Sequence, residues 1–379
     1  MKVLLLAGEE SGVLYADQIR AEILRRVPGA EIRGYADWGF RTGDLAVMGV
    51  GAVLCKIFYF LGVKRTMTRA IDEWKPDVVC TVDYPGMNLK LAAHAKAKGI
   101  RTVHVVCPQV WAWKKGRIPK IEAALDKLCC FFPFEPELFR PGFAEFVGHP
   151  LADAFASEAK AKGEGEQRNE KVLAVLPGSR IGEIEKHMPV LLDAVRELCA
   201  PSAPLCGKVK IVIPAANERA SKRISSHLSH FSHLSHFSHL PTPVLQSGGA
   251  RELLREADAA VVASGTATLE AALSGCPTVL VYKVGWFFAA IARLVIKGVK
   301  HIGLANIIAE KAGADCPMPE LLQDDFTAGN VVKCVQPWLE DADANAKARR
   351  SLAETTALLK SEGCAIARIC DIILFSRHA

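Results

Sequence analysis

Short apolar runs rich in β-branched residues recur along the chain with helix-like segments between them, and they fall into two groups of four. Val3–Ala7, Val78–Val82, Thr102–Val106 and Leu128–Phe132 form the first group, and Val172–Leu176, Val209–Ile213, Ala259–Ala263 and Thr278–Tyr282 form the second. Runs this continuously apolar suit strands covered on both faces, as in the parallel sheets of α/β proteins. Between the groups, Ser157–Lys171 reads SEAKAKGEGEQRNEK, whose only apolar residues are alanines, and is predicted to be a linker. The expectation is an α/β chain of two Rossmann-like domains with parallel sheets, residues 1–160 and 171–340. A helical tail over 345–379 follows, its apolar stripes packing back on the domains or on a partner copy. With 379 residues, half of them hydrophobic, there is ample apolar surface for two cores.

Other features narrow the function. The 47 basic and 41 acidic residues leave a net charge of +6. That dispersed excess argues for no nucleic-acid partner and favours anionic small ligands or an anionic membrane surface. The 12 cysteines include no Cys-x-x-Cys pair, so they read as reduced core thiols in a cytoplasm. The opening MKVLLLAGEESG lacks the apolar core of a signal peptide and reads as a first strand. Val284–Ile296, interrupted by Arg293, falls short of the roughly 20 residues needed to span a bilayer. Ser226–Leu240 is a six-residue repeat holding five histidines, read as a repeat expansion on the surface with no assigned chemistry.

Two strand-to-helix turns in the second half suit an anionic ligand. After VLAVL comes Pro177-Gly178-Ser179-Arg180, where small residues admit an anion to the backbone and Arg180 offers a bidentate donor. After AAVVA comes Ser264-Gly265-Thr266, which places hydroxyls and amides at a helix start. Glu270, on the same helix, either accepts from the hydroxyls of a ribose or complements the helix dipole. Neither turn is a P-loop, and Gly8-Glu9-Glu10-Ser11-Gly12 is not Gly-x-Gly-x-x-Gly, which speaks against ATP or a dinucleotide.

In the first half, VVCTV ends at Asp83, followed by Pro85-Gly86, a pair suited to a type II turn. Asp83 is there either a general base or a brace of the turn, and Glu9 after the first strand is the rival carboxylate. His104 reads as a core histidine. Trp111 and Trp113, flanked by Lys114 and Lys115, either line a sugar or lipid-phosphate site or pack into the interior. Ile57–Val63 before Lys64-Arg65, and Val284–Ile296 before Lys297, are either lipid-facing or buried helices.

In this order, AGEESG, VDYPGMNLKLA, PQVWAWKKGRIPKI, FPFEPELF, FVGHPLAD, LPGSRIGEI, ASGTATLEAAL and PELLQ resemble the lipid A disaccharide synthase family from residue 7 to 323. The resemblance implies a GT-B architecture with its active site in a cleft, and an inverting transfer that needs no metal or cofactor. UDP-2,3-diacylglucosamine would be the donor and 2,3-diacylglucosamine 1-phosphate (lipid X) the acceptor, giving a β-1,6 disaccharide and UDP on the inner face of the inner membrane. It further implies Asp83, with Glu9 as the rival, for the base; Arg180, Ser264, Gly265 and Thr266 for the diphosphate; and Glu270 for the ribose. Asn306, Glu320 and Gln323 become donor-side contacts, and Ser11, Asn88, Gln109, Trp111 and Trp113 belong to the acceptor or lipid side. The only Asp-x-Asp spacing, Asp341-Ala342-Asp343, precedes the tail helix, away from these motifs. Val13 stands where the family motif carries Asp, and Cys107 where Ser is common. The competing readings on the same scaffold are a UDP-sugar 2-epimerase and a non-catalytic nucleotide-sugar binding protein.

Overall fold

The structure, a computed structural model, describes residues 1–41, 57–112, 114–161, 170–234, 243–285 and 300–375. The chain forms two compact units, Met1–Asp153 with Leu359–Ala379, and Ala154–Leu358. Each is built on a six-stranded sheet, and every strand pairing is parallel.

The first sheet runs in the order β2-β1-β3-β4-β5-β6. Its strands are β1 (Lys2–Ala7), β2 (Glu31–Arg33), β3 (Val78–Val82), β4 (Arg101–Val105), β5 (Lys127–Cys130) and β6 (Ala144–Phe146). Helix α1 (Glu10–Arg26) covers one face together with α13 (Ala365–Leu374). Ile19 and Ile23 of α1 and Ile366, Ile369, Ile372 and Ile373 of α13 share a core with Val3, Val78 and Val103. The other face is covered by α2 (Ile57–Trp74), α3 (Pro85–Ala97) and α4 (Ile118–Ala124), through Met67, Ile71, Leu91 and Ile121. Strand β4 stops at Val105 because Val106 has φ +75°, outside the extended region.

The second sheet runs β12-β11-β10-β7-β8-β9. Its strands are β7 (Lys171–Leu176), β8 (Val209–Ala215), β9 (Val244–Ser247), β10 (Ala259–Ala263), β11 (Thr278–Tyr282) and β12 (Glu320–Leu322). Helix α5 (Pro150–Ala161) leads in, and α6 (Ile181–Leu198), α7 (Glu218–Leu234) and α11 (Ala328–Glu340) cover one face. The other face carries α8 (Ala250–Glu256), α9 (Thr266–Leu273), α10 (Leu304–Lys311) and, through Leu352, α12 (Ala342–Ala357). The first nine residues of the histidine-rich repeat lie on α7, where Phe231 is buried beneath the Arg196 guanidinium at 4.7 Å, and the rest falls outside the described residues. The stretch expected as one tail is divided: α12 packs in the second unit, and α13 returns to the first. There the Ala365 N–H donates to Asp153 Oδ2 at 2.7 Å.

In each sheet the strand order reverses beside its first strand, between β1 and β3 and between β7 and β10. Ligands of open α/β sheets bind at the carboxyl ends of the strands at such a reversal. Glu9 and Asp83 follow β1 and β3, while Pro177–Arg180 and Ser264–Thr266 follow β7 and β10.

Candidate active site

At the β1/β3 reversal, glycines make room for the carboxylates. A Cβ on Gly8 would lie 2.4 Å from the Tyr84 ring, and one on Gly12 would lie 3.3 Å from the Val82 carbonyl and 3.6 Å from Asp83 Cβ. Without side chains at these positions the start of α1 closes against Asp83 and Tyr84. Both of those residues are left-handed, with φ +50° and +51°, a conformation that costs non-glycine residues roughly 1–3 kcal/mol each. Asp83 N–H donates to the Val105 carbonyl at 2.9 Å, and Tyr84 N–H to Asp83 Oδ1 at 2.8 Å. Pro85 and Gly86 do not form the expected type II turn; they open the first turn of α3, where proline's missing donor does no harm.

The bend is held by Asn88. Its amide donates to the carbonyls of Asp83 at 2.8 Å, Leu6 at 3.2 Å and Val82 at 3.3 Å, and its Oδ1 accepts from Tyr35 Oη–H at 2.7 Å. Asn88 is fully buried, so the expectation of an acceptor-side contact is corrected: its polar atoms are engaged inside the fold. Burial raises the pKa of Asp83 against the opposing Tyr84 N–H. Burial likewise raises Glu9, and the Asp83 charge raises it further. Such shifts bring a carboxylate toward the range in which it serves as a general base near neutrality.

Gln109 is exposed beyond β4. Trp111 is not: it is 4% exposed, its Nε1–H donates to Glu135 Oε1 at 3.1 Å, and it meets Phe134 edge-on at 5.7 Å. Packing, the second alternative for the tryptophans, holds for Trp111, which corrects its expected place on the acceptor side. Burial pushes its carboxylate partner Glu135 up to about 8. Trp113 and the side chain of Ser11 lie outside the described residues.

In the second unit, Gly178 has φ +113°, and a Cβ there would lie 2.6 Å from Glu183 Oε2, so the turn after β7 requires glycine. Arg180 sits at the N-cap of α6, largely exposed, with Nη1 donating to Glu183 Oε1 at 3.0 Å. Sequence reasoning missed the residue that fixes this turn. The buried His187 donates from Nδ1 to the Pro177 carbonyl at 2.7 Å and accepts at Nε2 from Lys283 N–H at 3.0 Å, tying the end of β7 to the exit of β11. Burial lowers its pKa, so the neutral tautomer is held. The available signal was its place within the apolar stripe of Ile184, Met188 and Leu191.

After β10, Ser264 N–H donates to the Val281 carbonyl at 3.1 Å, and exposed Gly265 is the N-cap of α9 with φ +155°. No side chain caps this helix, which leaves its first amides for an anion. Glu270 lies beyond the first turn, against the helix-dipole alternative, and Oε1 accepts from Arg251 Nη2 at 3.2 Å. Asn306 is fully buried, donating to the Met318 carbonyl at 2.7 Å and Glu320 Oε1 at 2.8 Å and accepting from Met318 N–H at 3.0 Å. Glu320 in turn accepts from the amides of Ile302 and Gly303, each at 3.0 Å. These two residues therefore clamp the loop before α10, and their polar atoms are engaged within the fold at the positions expected on the donor side. Gln323, left-handed at φ +54° and half-buried, accepts at Oε1 from Val284 N–H at 3.4 Å.

The family model described as Lipid-A-disaccharide synthetase matches residues 3–370. The chain belongs to that family. A lipid-A-disaccharide synthase of Syntrophus aciditrophicus (strain SB) is 35% identical over 336 residues, covering 85% of this chain and 84% of the relative. Among solved structures, a UDP-GlcNAc 2-epimerase from Neisseria meningitidis bound to UDP-GlcNAc is similar with TM-score 0.55 at 13% identity, covering 99% of this chain and 98% of that one. The calicheamicin glycosyltransferase CalG4 is similar with TM-score 0.55 at 15% identity, covering 98% and 97%. At such identities the likeness concerns the fold, which is GT-B. As a lipid-A-disaccharide synthase family member the chain is a glycosyltransferase.

Two features noted from sequence, one of them a departure from the family motif, acquire a physical account. Val13 is half-exposed, and its N–H donates to the Glu9 carbonyl at 2.9 Å, so α1 starts properly without the family's carboxylate. Asp341 is the N-cap of α12, with Oδ1 accepting from Asp343 N–H at 2.8 Å, so the lone Asp-x-Asp spacing is a helix cap.

Proposed function

We propose that the chain joins two acylated sugars, transferring 2,3-diacylglucosamine from its UDP ester to the 6-hydroxyl of 2,3-diacylglucosamine 1-phosphate. The acceptor oxygen forms a bond to the anomeric carbon as the bond to the UDP oxygen breaks, with inversion to the β-1,6 link. Asp83 takes the hydroxyl proton. The pair of raised carboxylates at the β1/β3 reversal supports this assignment, because a base working near neutrality must be less acidic than an ordinary carboxylate yet remain ionised. The developing charge on the diphosphate meets the uncapped amides at the start of α9 from Gly265 on, the Ser264 and Thr266 hydroxyls and the Arg180 guanidinium. Glu270, on the same helix, accepts from the ribose. His187, Asn306 and Glu320 act through the loops they hold.

Gln109 serves the acceptor sugar. The acyl chains and an anionic membrane surface on the cytoplasmic side meet α2, where Phe58 is 84% and Leu61 57% exposed beside Lys64 and Arg65. None of the described helices is long and apolar enough to cross a membrane.

Turnover of the two lipids, read as disaccharide by mass spectrometry together with UDP release, tests the proposal. Disaccharide forms, with UDP released only when both lipids are present; an epimerase would need no acceptor, and a binding protein would make no product. Asp83→Asn lowers kcat by at least 100-fold with UDP affinity preserved, whereas Glu9→Gln has the smaller effect. A reversed order would transfer the base role to Glu9.

A further inference from the structure

The strongest cluster outside the transfer chemistry lies beneath the Pro108–Trp111 segment. Cys107 follows β4 by two residues, Cys130 ends β5, and Glu135 lies in the turn beyond β5. Register between the neighbouring strands pairs Val105 with Cys129, which brings the two thiols to the same edge of the sheet. One ligand atom from each of Cys107, Cys130 and Glu135 lies within 4.8 Å of the others, and the residues are 4%, 0% and 1% exposed.

We propose that Cys107, Cys130 and Glu135 form a structural site for a soft or borderline divalent cation of the zinc or cadmium type. Thiolates select such ions over magnesium or calcium. The carboxylate is already oriented as a ligand would be, with Trp111 Nε1–H on Oε1 and Phe132 N–H on Oε2, each at 3.1 Å. Among the described residues no lysine, arginine or histidine lies within ion-pair distance of Glu135. As the ion binds, two metal–sulfur bonds and one metal–oxygen bond form while the two thiols and the carboxylic acid release their protons to solvent, and nothing is oxidised. The bound ion would pin Cys107, and with it Gln109, to the end of β5. Sequence spacing hides the site because its thiols lie 23 positions apart, one just past β4 and one at the end of β5.

The test uses the full chain, reduced and stripped of metal. Cadmium titration, followed by thiolate-to-metal absorbance in the ultraviolet and by metal content after gel filtration, is expected to saturate at one equivalent per chain, with zinc competing. Histidines of the repeat would give no thiolate band. Cys107→Ser and Cys130→Ser abolish the band, and Glu135→Gln weakens binding at least 10-fold. Because these variants risk misfolding, Cys316→Ser/Cys364→Ser, which removes the two thiols exposed among the described residues, provides the second arm and retains the full band. Absence of a stoichiometric thiolate band in the parent chain overturns the proposal. So does a band that disappears in Cys316→Ser/Cys364→Ser or survives in folded Cys107→Ser.

Discussion

Replacing Asn88 with Ala tests whether the Asp83 bend depends on one buried amide. The substitution removes a 2.8 Å donor to the Asp83 carbonyl and two longer ones to Leu6 and Val82, and it orphans the Tyr35 hydroxyl, whose residue is 4% exposed. Hydrogen bonds contribute about 0.5–1.5 kcal/mol each, and an unsatisfied buried hydroxyl costs about 1–3 kcal/mol. The variant is therefore expected to lose about 3–4 kcal/mol. At roughly 2–4 °C per kcal/mol for a unit of this size, melting falls by roughly 6–16 °C. With the left-handed pair released, kcat drops at least 10-fold at a temperature where both proteins are folded, while KM for the UDP-sugar, which on the proposed reading binds in the other unit, stays put. Tyr35→Phe alone costs about 1 kcal/mol. Combined with Asn88→Ala it spares the orphaned hydroxyl, so the double variant loses about 1–2 kcal/mol less than the sum of the singles. Urea unfolding and steady-state kinetics on the four proteins supply both readouts. A stability loss under about 0.5 kcal/mol with unchanged kcat, or strict additivity, would refute the brace.

Other consequences follow from the same geometry. Since burial raises the pKa of folded Asp83, its ionisation opposes folding: that part of the wild-type stability is present in acid and lost as pH rises through the folded pKa. Asp83→Asn should thus melt higher than the parent at pH 7, with the advantage vanishing toward pH 4; an equal offset at both pH values would contradict it. His104, fully buried, is pushed down to about 3, so the parent loses roughly 1.4 kcal/mol per pH unit as pH falls from 6.5 toward that value. His104→Asn should flatten this part of the acid-denaturation curve, and an unchanged slope would count against the assignment. Gly265→Ala places a Cβ in open space but forces φ +155° on an L-residue, so strain alone should weaken UDP binding about 10-fold by calorimetry, with the acceptor KM unaffected.

The strands that sequence pattern missed share one physical property. β2, β6, β9 and β12 are the four outermost strands of the two sheets, each three or four residues long and only partly buried. An edge strand is covered less than an inner one, so it carries no continuous apolar run, and three residues are too few to display alternation. The inner strands were legible because burial on both faces writes itself into every residue.

The site divides along a similar line. Glycine and acid placement after β1, β3, β7 and β10 could be read from local sequence, because a strand end followed by a helix start is a local event. Whether a polar side chain there faces a ligand or the protein is not local. Asn88 is engaged by Tyr35, 53 positions away, and Trp111 by Glu135, 24 positions away, while Asn306 and Glu320 hold each other across 14. For each of these the motif marked the residue, and the partner that engages it lies far along the chain. His187 inverts the pattern, a polar residue in an apolar stripe whose bonds to Pro177 and Lys283 join the turns after β7 and β11. A polar residue at a core-phased helix position beside a strand end is therefore better sought as a brace of the site than as a contact within it, and replacing it should shift ligand affinity through the loop it holds.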